Sequence, residues 1–204
     1  MEPIIHTMEQ GSEEWLEVRL GKMTSSMFKT VLAKGQGKTR RKYMSQICSE
    51  RCTGLPSANY TNAAMDWGTE HEAEAVARYE KDRKCVVGTV GFVELSDWIG
   101  GSPDGLVGDD GIIEVKCPNS ATHYDYMRTG KVDSTYRLQI QGNLWVTGRK
   151  WCDWISYDPR FKMPKQQILI VRVERDEKAI AELQVKCEIF KNEALAEILN
   201  NNPF

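Results

Sequence analysis

The chain has 204 residues, enough for one domain with a substantial buried core and short for two. With 41% hydrophobic and 27% charged residues it has the make-up of an ordinary folded protein, which excludes a fibre or a long disordered tail. No apolar run approaches the roughly 18 residues needed to span a bilayer, so no membrane partner is expected. The formal net charge of −2 gives no overall attraction to polyanions, so nucleic-acid binding would need a local basic surface.

The opening segment MEPIIHTMEQGSEEW places acids early and lacks a basic-then-apolar signal pattern, so a cytoplasmic location is expected. Six cysteines are scattered without a CxxC pair and read as thiols filling core space. Cys48 and Cys52 stand four apart, but none of the three histidines completes a zinc pattern with them.

Ser12 followed by Glu13 and Glu14 predicts an N-cap with acids in the first turn, opening a helix through Trp15, Leu16, Val18 and Leu20 that Gly21 ends. Thr24 or Ser25 can cap a second helix through Met27, Phe28, Val31 and Leu32, which breaks at KGQGKTRRK. Tyr43 to Cys52 reads as a third helix and GLPSANYTN as a turn-rich connection. From Ala63 to about Lys81 the pattern is helical, with Met65, Gly68, Glu72, Ala75, Val76 and Tyr79 on one stripe. CVVGTVGFVEL, WIGGSPDGLVG and GIIEVKC then read as strands of one sheet, rich in β-branched and aromatic residues and separated by Gly, Pro and Asp. A helix over Ser134 to Thr147, strands at WCDWISYD and QILIVRV, and a helix from about Asp176 to Leu199 complete a single domain over residues 1–204. The predicted fold is a mixed α/β domain with a central mixed sheet flanked by helices.

Strand alternation puts Glu114 and Lys116 on one face and Val115 on the other. Asp104 sits at a Pro-Gly turn from which a hairpin can bring it beside Glu114. Two close carboxylates repel, and a hard divalent ion such as Mg²⁺ relieves that repulsion. Such an ion can activate water and stabilise charge on a phosphate, while Lys116 orients or deprotonates the water and offsets developing charge. Glu72, an acid within an apolar stripe, is costly to bury unless a cation or donors meet it, so it can join the cluster. The pattern therefore points to phosphodiester hydrolysis, against the plainer reading of a surface Glu-Lys pair and an ordinary turn. His71 lacks an HExxH context and is expected to support the helix surface, and Glu70 and Glu74 to be solvated. The tryptophans read as core and strand-packing residues, with Trp67 placed to shape an entrance.

These residues resemble the PD-(D/E)xK nucleases, and within them the phage lambda exonuclease (YqaJ-type recombinase) family. The likeness runs through RLG at 19–21, MTSS at 23–26, WGTEHE at 67–72, SPDG, EVKCP, YRLQIQGNLWVTG, YDPR at 157–160 and ERDEK. It implies a processive alkaline exonuclease that digests one strand of linear double-stranded DNA from its 5′ end and leaves a 3′ single strand for recombination. It also implies Mg²⁺, with Mn²⁺ able to substitute, held by Asp104, Glu114 and the Val115 carbonyl with help from Glu72. Lys116 would stand at the attacking water, and Gln139 would contact that water or the substrate. Arg19, Ser26 and Ser102 match the family's 5′-phosphate pocket, where a guanidinium fork and two hydroxyls suit a terminal phosphate. Met65 matches an apolar wedge that splits the duplex end. A homotrimer ring, a single-strand annealing protein as partner and a phage or prophage gene in a bacterial host are further implications. A restriction-like endonuclease and a DNA-binding module without catalysis are the competing readings. The GQGKTRRK segment, with five basic residues counting Lys34, either follows the DNA backbone or is a solvated loop.

Overall fold

The alternation between helical and strand periods builds two sheets, and the functional residues collect where the chain passes from one to the other. The computed structural model describes residues 2–33, 37–57 and 63–200. In chain order the elements are β1 (Ile4–His6), α1 (Glu13–Arg19), β2 (Met23–Thr24), a 3₁₀ turn (Ser25–Met27), α2 (Phe28–Val31), α3 (Lys38–Thr53) and α4 (Ala63–Arg83). There follow β3 (Val87–Gly88), β4 (Phe92–Ser96), β5 (Ile99–Gly101), β6 (Gly105–Val107), β7 (Gly111–Lys116), α5 (Ser120–Thr129), α6 (Ser134–Thr147), β8 (Trp151–Tyr157), β9 (Ile168–Glu174) and α7 (Glu177–Asn200).

Two corrections concern elements that sequence reading placed elsewhere. The strands from 85 to 116 do not share one sheet: β4 and β5 belong to a four-stranded sheet ordered β1-β4-β5-β2, whereas β3, β6 and β7 join β8 and β9 in a five-stranded sheet ordered β3-β6-β7-β8-β9. Strand propensity reports that a segment is extended, not which neighbour it pairs with. The RRK part of the basic segment is not loop either, because α3 already begins at Lys38; Lys34 and the first two residues of GQGKTRRK, 35 and 36, lie outside the described residues. Arg40 there is buried, its Nε donating to the Val31 carbonyl and its guanidinium meeting Glu193 at 2.7 Å. The second predicted helix shortens to the 3₁₀ turn and α2, and α5 is an addition, capped by Asn119 accepting from the Thr122 amide at 2.9 Å and ended by left-handed Gly130.

The five-stranded sheet is mixed: β7 and β8 run parallel, with antiparallel neighbours on either side. Ile113 and Val115 point to one face and pack with Ala75 and Tyr79 of α4, while Ile112 points to the other and packs with Ile140 and Leu144 of α6. The sheet is thus a layer between α4 and α6, and any charge on β7 is forced into an interior. A second core joins Met23, Phe28, Tyr43 and Trp98 to Leu183 and Phe190 of α7. Tyr79 and Arg172 both bind buried Asp153 of β8, at 2.8 Å from the phenol and 2.9 Å from one guanidinium nitrogen, which satisfies the one acid in the middle of that strand.

Candidate active site

The predicted cluster of Asp104, Glu114 and Lys116 forms, and the expected hairpin after Asp104 builds it. Gly101-Ser102-Pro103-Asp104 is the link that carries the chain from β5 in one sheet to β6 in the other. The hairpin turn proper is at Gly108, whose φ of +52° suits glycine, and it lays β6 antiparallel to β7 with Gly105 opposite Ile113. Asp104 is therefore held at the β7 edge: its amide donates to the Ile113 carbonyl at 3.2 Å, and its carboxylate accepts the Val115 amide at 2.6 Å.

Glu114 is fully buried on the α6 face of β7, as alternation requires. Lys116 Nζ lies 2.6 Å from Glu114 Oε1, and Gln139 Nε2 donates to the same oxygen. Asn143 Nδ2 donates to the other oxygen at 3.0 Å. Asn143 was not singled out from sequence, although it stands one helical turn beyond Gln139 and so shares its face. Burial lifts the Glu114 carboxyl to about 7, opposed by Lys116 and reinforced by Asp104. Burial also raises Asp104, against the pull of Lys116 and the Val115 amide. Glu72, half-buried on α4, is lifted to about 7 by burial and then by Asp104, with Lys116 opposing. Burial alone would lower Lys116, yet Glu114 and Asp104 together hold it above its ordinary value, so it stands as a cation. That state suits orienting water and offsetting charge.

Among the described residues no group of three His, Cys, Asp or Glu side chains is gathered closely enough to hold an ion by itself. The donor chemistry nevertheless suits a hard divalent cation, because Asp104, Glu114 and Glu72 are carboxylates whose ionisation burial resists, and a cation would remove that cost. Glu70 and Glu74 are exposed as expected, and His71 stacks on Trp67 and meets Glu74 at 3.1 Å, a surface role. Trp67 in turn lies under the Arg160 guanidinium, 4.3 Å from the ring centroid, while Arg160 is held by Asp158 and the Pro118 carbonyl. The Met65 side chain lies outside the described residues.

A pocket of about 190 Å³ opens between α1, β2 and α3, and Arg19 and Ser26 line it with Lys22, Thr24, Tyr43 and Glu50. Burial lowers Arg19 to about 10, while Tyr43 and Glu50 favour its charge. Ser102 does not line that pocket. It is tied to it through Trp15, whose Nε1 donates to Ser102 Oγ and to the Gly91 carbonyl, each at 3.0 Å, and whose ring lies 3.5 Å beneath the Arg19 guanidinium. The Trp15–Arg19 stack follows from their four-residue spacing on α1 and was legible as such.

Residues 14–150 match the model of the YqaJ-like viral recombinase domain. Among solved structures, the chain is similar to an alkaline exonuclease, LHK-Exo, from Laribacter hongkongensis, at 41% identity over 93% of this chain and 95% of that one, with a TM-score of 0.86. The same figures hold for LHK-Exo in complex with dAMP. A phage-related exonuclease from Haemophilus somnus 129PT shares the fold at 16% identity, covering 88% of this chain and 96% of that one, with a TM-score of 0.68. No curated protein matches the chain. The Asp104-Glu114-Lys116 cluster thus sits in a domain whose sequence and fold agree over most of its length, and the chain belongs to the YqaJ-like viral recombinase family.

Proposed function

We propose that this chain is a metal-dependent 5′-to-3′ exonuclease that digests one strand of linear duplex DNA to mononucleotides and leaves a 3′ single strand for annealing-based recombination. The observation that carries the reading is that Asp104, at the end of the Gly101–Asp104 link, meets the β7 strand carrying Glu114 and cationic Lys116, with Ser102 of the same link tied through Trp15 to Arg19. The 41% identity to an alkaline exonuclease supports it. Lys116 donates an N–H to Glu114 Oε1, and from there it can orient water and offset charge gathering on a phosphate oxygen. Gln139 shares the Glu114 oxygen with it, so one amide and one ammonium fix the carboxylate's direction. Mg²⁺ held by Asp104, Glu114 and the Val115 carbonyl, with Glu72 beside them, would supply Lewis-acid activation of water and neutralise phosphate charge. Arg19 and Ser26 bind the terminal 5′-phosphate, which gives the enzyme its direction. A homotrimeric ring around the duplex, a single-strand annealing protein as partner and a bacterial cytoplasm as the setting complete the proposal on family resemblance.

Nucleotide release from linear duplexes bearing 5′-phosphate or 5′-hydroxyl ends, in Mg²⁺ or EDTA, tests it. Release is expected only with the metal, with preference for 5′-phosphate, and Lys116→Ala is expected to lose roughly 100–1000-fold. Equal cutting of closed circles would instead identify an endonuclease, and DNA binding without cleavage a binding module.

A further inference from the structure

Glu114 is held by one group whose role neither the family pattern nor the proposed chemistry assigns. Asn143 is fully buried on α6, and while its Nδ2 donates to Glu114 Oε2 at 3.0 Å, its own Oδ1 has no hydrogen-bond partner. A buried amide left half-satisfied is costly, so the donated bond must be made in one orientation. Space around it is equally constrained. A Cβ added at Gly101 would stand 2.6 Å from Asn143 Oδ1 and 2.3 Å from Ser25 Oγ, so the β5 backbone and the 3₁₀ turn close directly on this side chain. Gly142 performs the same service next door, where a Cβ would stand 2.5 Å from the Phe28 ring and 3.2 Å from Ser25 Cβ.

The neighbours matter because of what lies one residue away. Ser25 precedes Ser26, which lines the Arg19 pocket, and Gly101 precedes Ser102, which Trp15 ties to that pocket. Asn143 therefore packs against Gly101, its neighbour Gly142 packs against Ser25, and through its N–H Asn143 meets the carboxylate, so it sits between Glu114 and the two segments that carry those hydroxyls. We infer that Asn143 is a positioning residue: it fixes the Glu114 carboxylate for a divalent cation and sets its distance from the 5′-phosphate pocket. This rests on the reading of Glu114 as a metal ligand. Partners that orient ligating carboxylates in this way typically change metal affinity or activity roughly 10–100-fold when removed.

The test uses the full chain and two variants. Asn143→Ala removes the donor and leaves a void; Asn143→Leu removes the donor and fills the space. Mn²⁺ binding is measured by calorimetry and nucleotide release by turnover, with thermal unfolding followed in parallel. Ile180→Val on α7, away from the site, controls for general loss of stability. Both Asn143 variants are expected to bind Mn²⁺ roughly 10–100-fold more weakly and to lose kcat, with duplex affinity in EDTA unchanged and Ile180→Val retaining wild-type values. Wild-type Mn²⁺ affinity in Asn143→Leu would overturn the inference by showing that only packing matters. The calorimetry reads this independently of turnover, so failure of the wild-type chain to release nucleotides would strike the proposed function and leave this result to stand by itself.

Discussion

Raising the pH should weaken the metal-free fold, because Glu114 is an acid that the folded chain keeps protonated to higher pH than the unfolded chain does. Its carboxyl is wholly buried and lifted from 4.5 to about 7, chiefly by burial and then by Asp104 against Lys116. Between those two values the native state binds more protons than the unfolded chain. The stabilising contribution of the protonated acid is therefore complete below pH 4.5 and is lost as pH rises through about 7. At about 1.4 kcal/mol per pH unit the difference amounts to about 3 kcal/mol. For a domain of this size that corresponds to roughly 6–12 °C in Tm. Glu72 and Asp104 act in the same direction. Asp133, Asp153 and Asp158 are held below their ordinary values and exert the opposite slope only in more acid solution. Thermal unfolding in EDTA from pH 5 to 8 should show Tm falling for the wild type and falling distinctly less for Glu114→Gln, which keeps the shape and cannot ionise. Millimolar Mg²⁺ should recover the loss at pH 8 in the wild type alone. Parallel curves for the two proteins in EDTA would refute the assignment of the slope to Glu114.

Two further outcomes follow from the same structure. Arg19→Ala removes the charged fork of the pocket and should lower kcat/KM on 5′-phosphorylated ends roughly 10–100-fold, the equivalent of one lost charge-assisted contact, while leaving 5′-hydroxyl ends almost unaffected; equal loss on both ends would place the arginine outside phosphate recognition. Arg172→Ala leaves Asp153 buried with only the Tyr79 hydroxyl and the more distant Arg83 at 3.9 Å, so urea unfolding should report a loss of about 3 kcal/mol, and an unchanged midpoint would show that this pair is not structural.

What the sequence by itself determined is local in character. Ser12 caps α1 as read, through the Trp15 amide at 3.2 Å; α6 spans Ser134–Thr147 as read; and alternation alone put Glu114 and Lys116 on one face of β7. The family likeness was legible because its motifs are short, ordered and chemically specific, and several of them fall on α1, α4, β7 and α6, which carry the candidate residues. What only the tertiary structure decided are relations between distant segments. Nothing in CVVGTVGFVEL or WIGGSPDGLVG says that two sheets share these strands, since both contain extended chain of similar propensity, and the partner is chosen by long-range pairing. The Ser102 link to Arg19 needs Trp15, 87 residues away, to stand between them. Asn143 carries no signal of its own in the sequence, because its meaning lies in a buried carboxylate 29 positions earlier that must find donors in the interior.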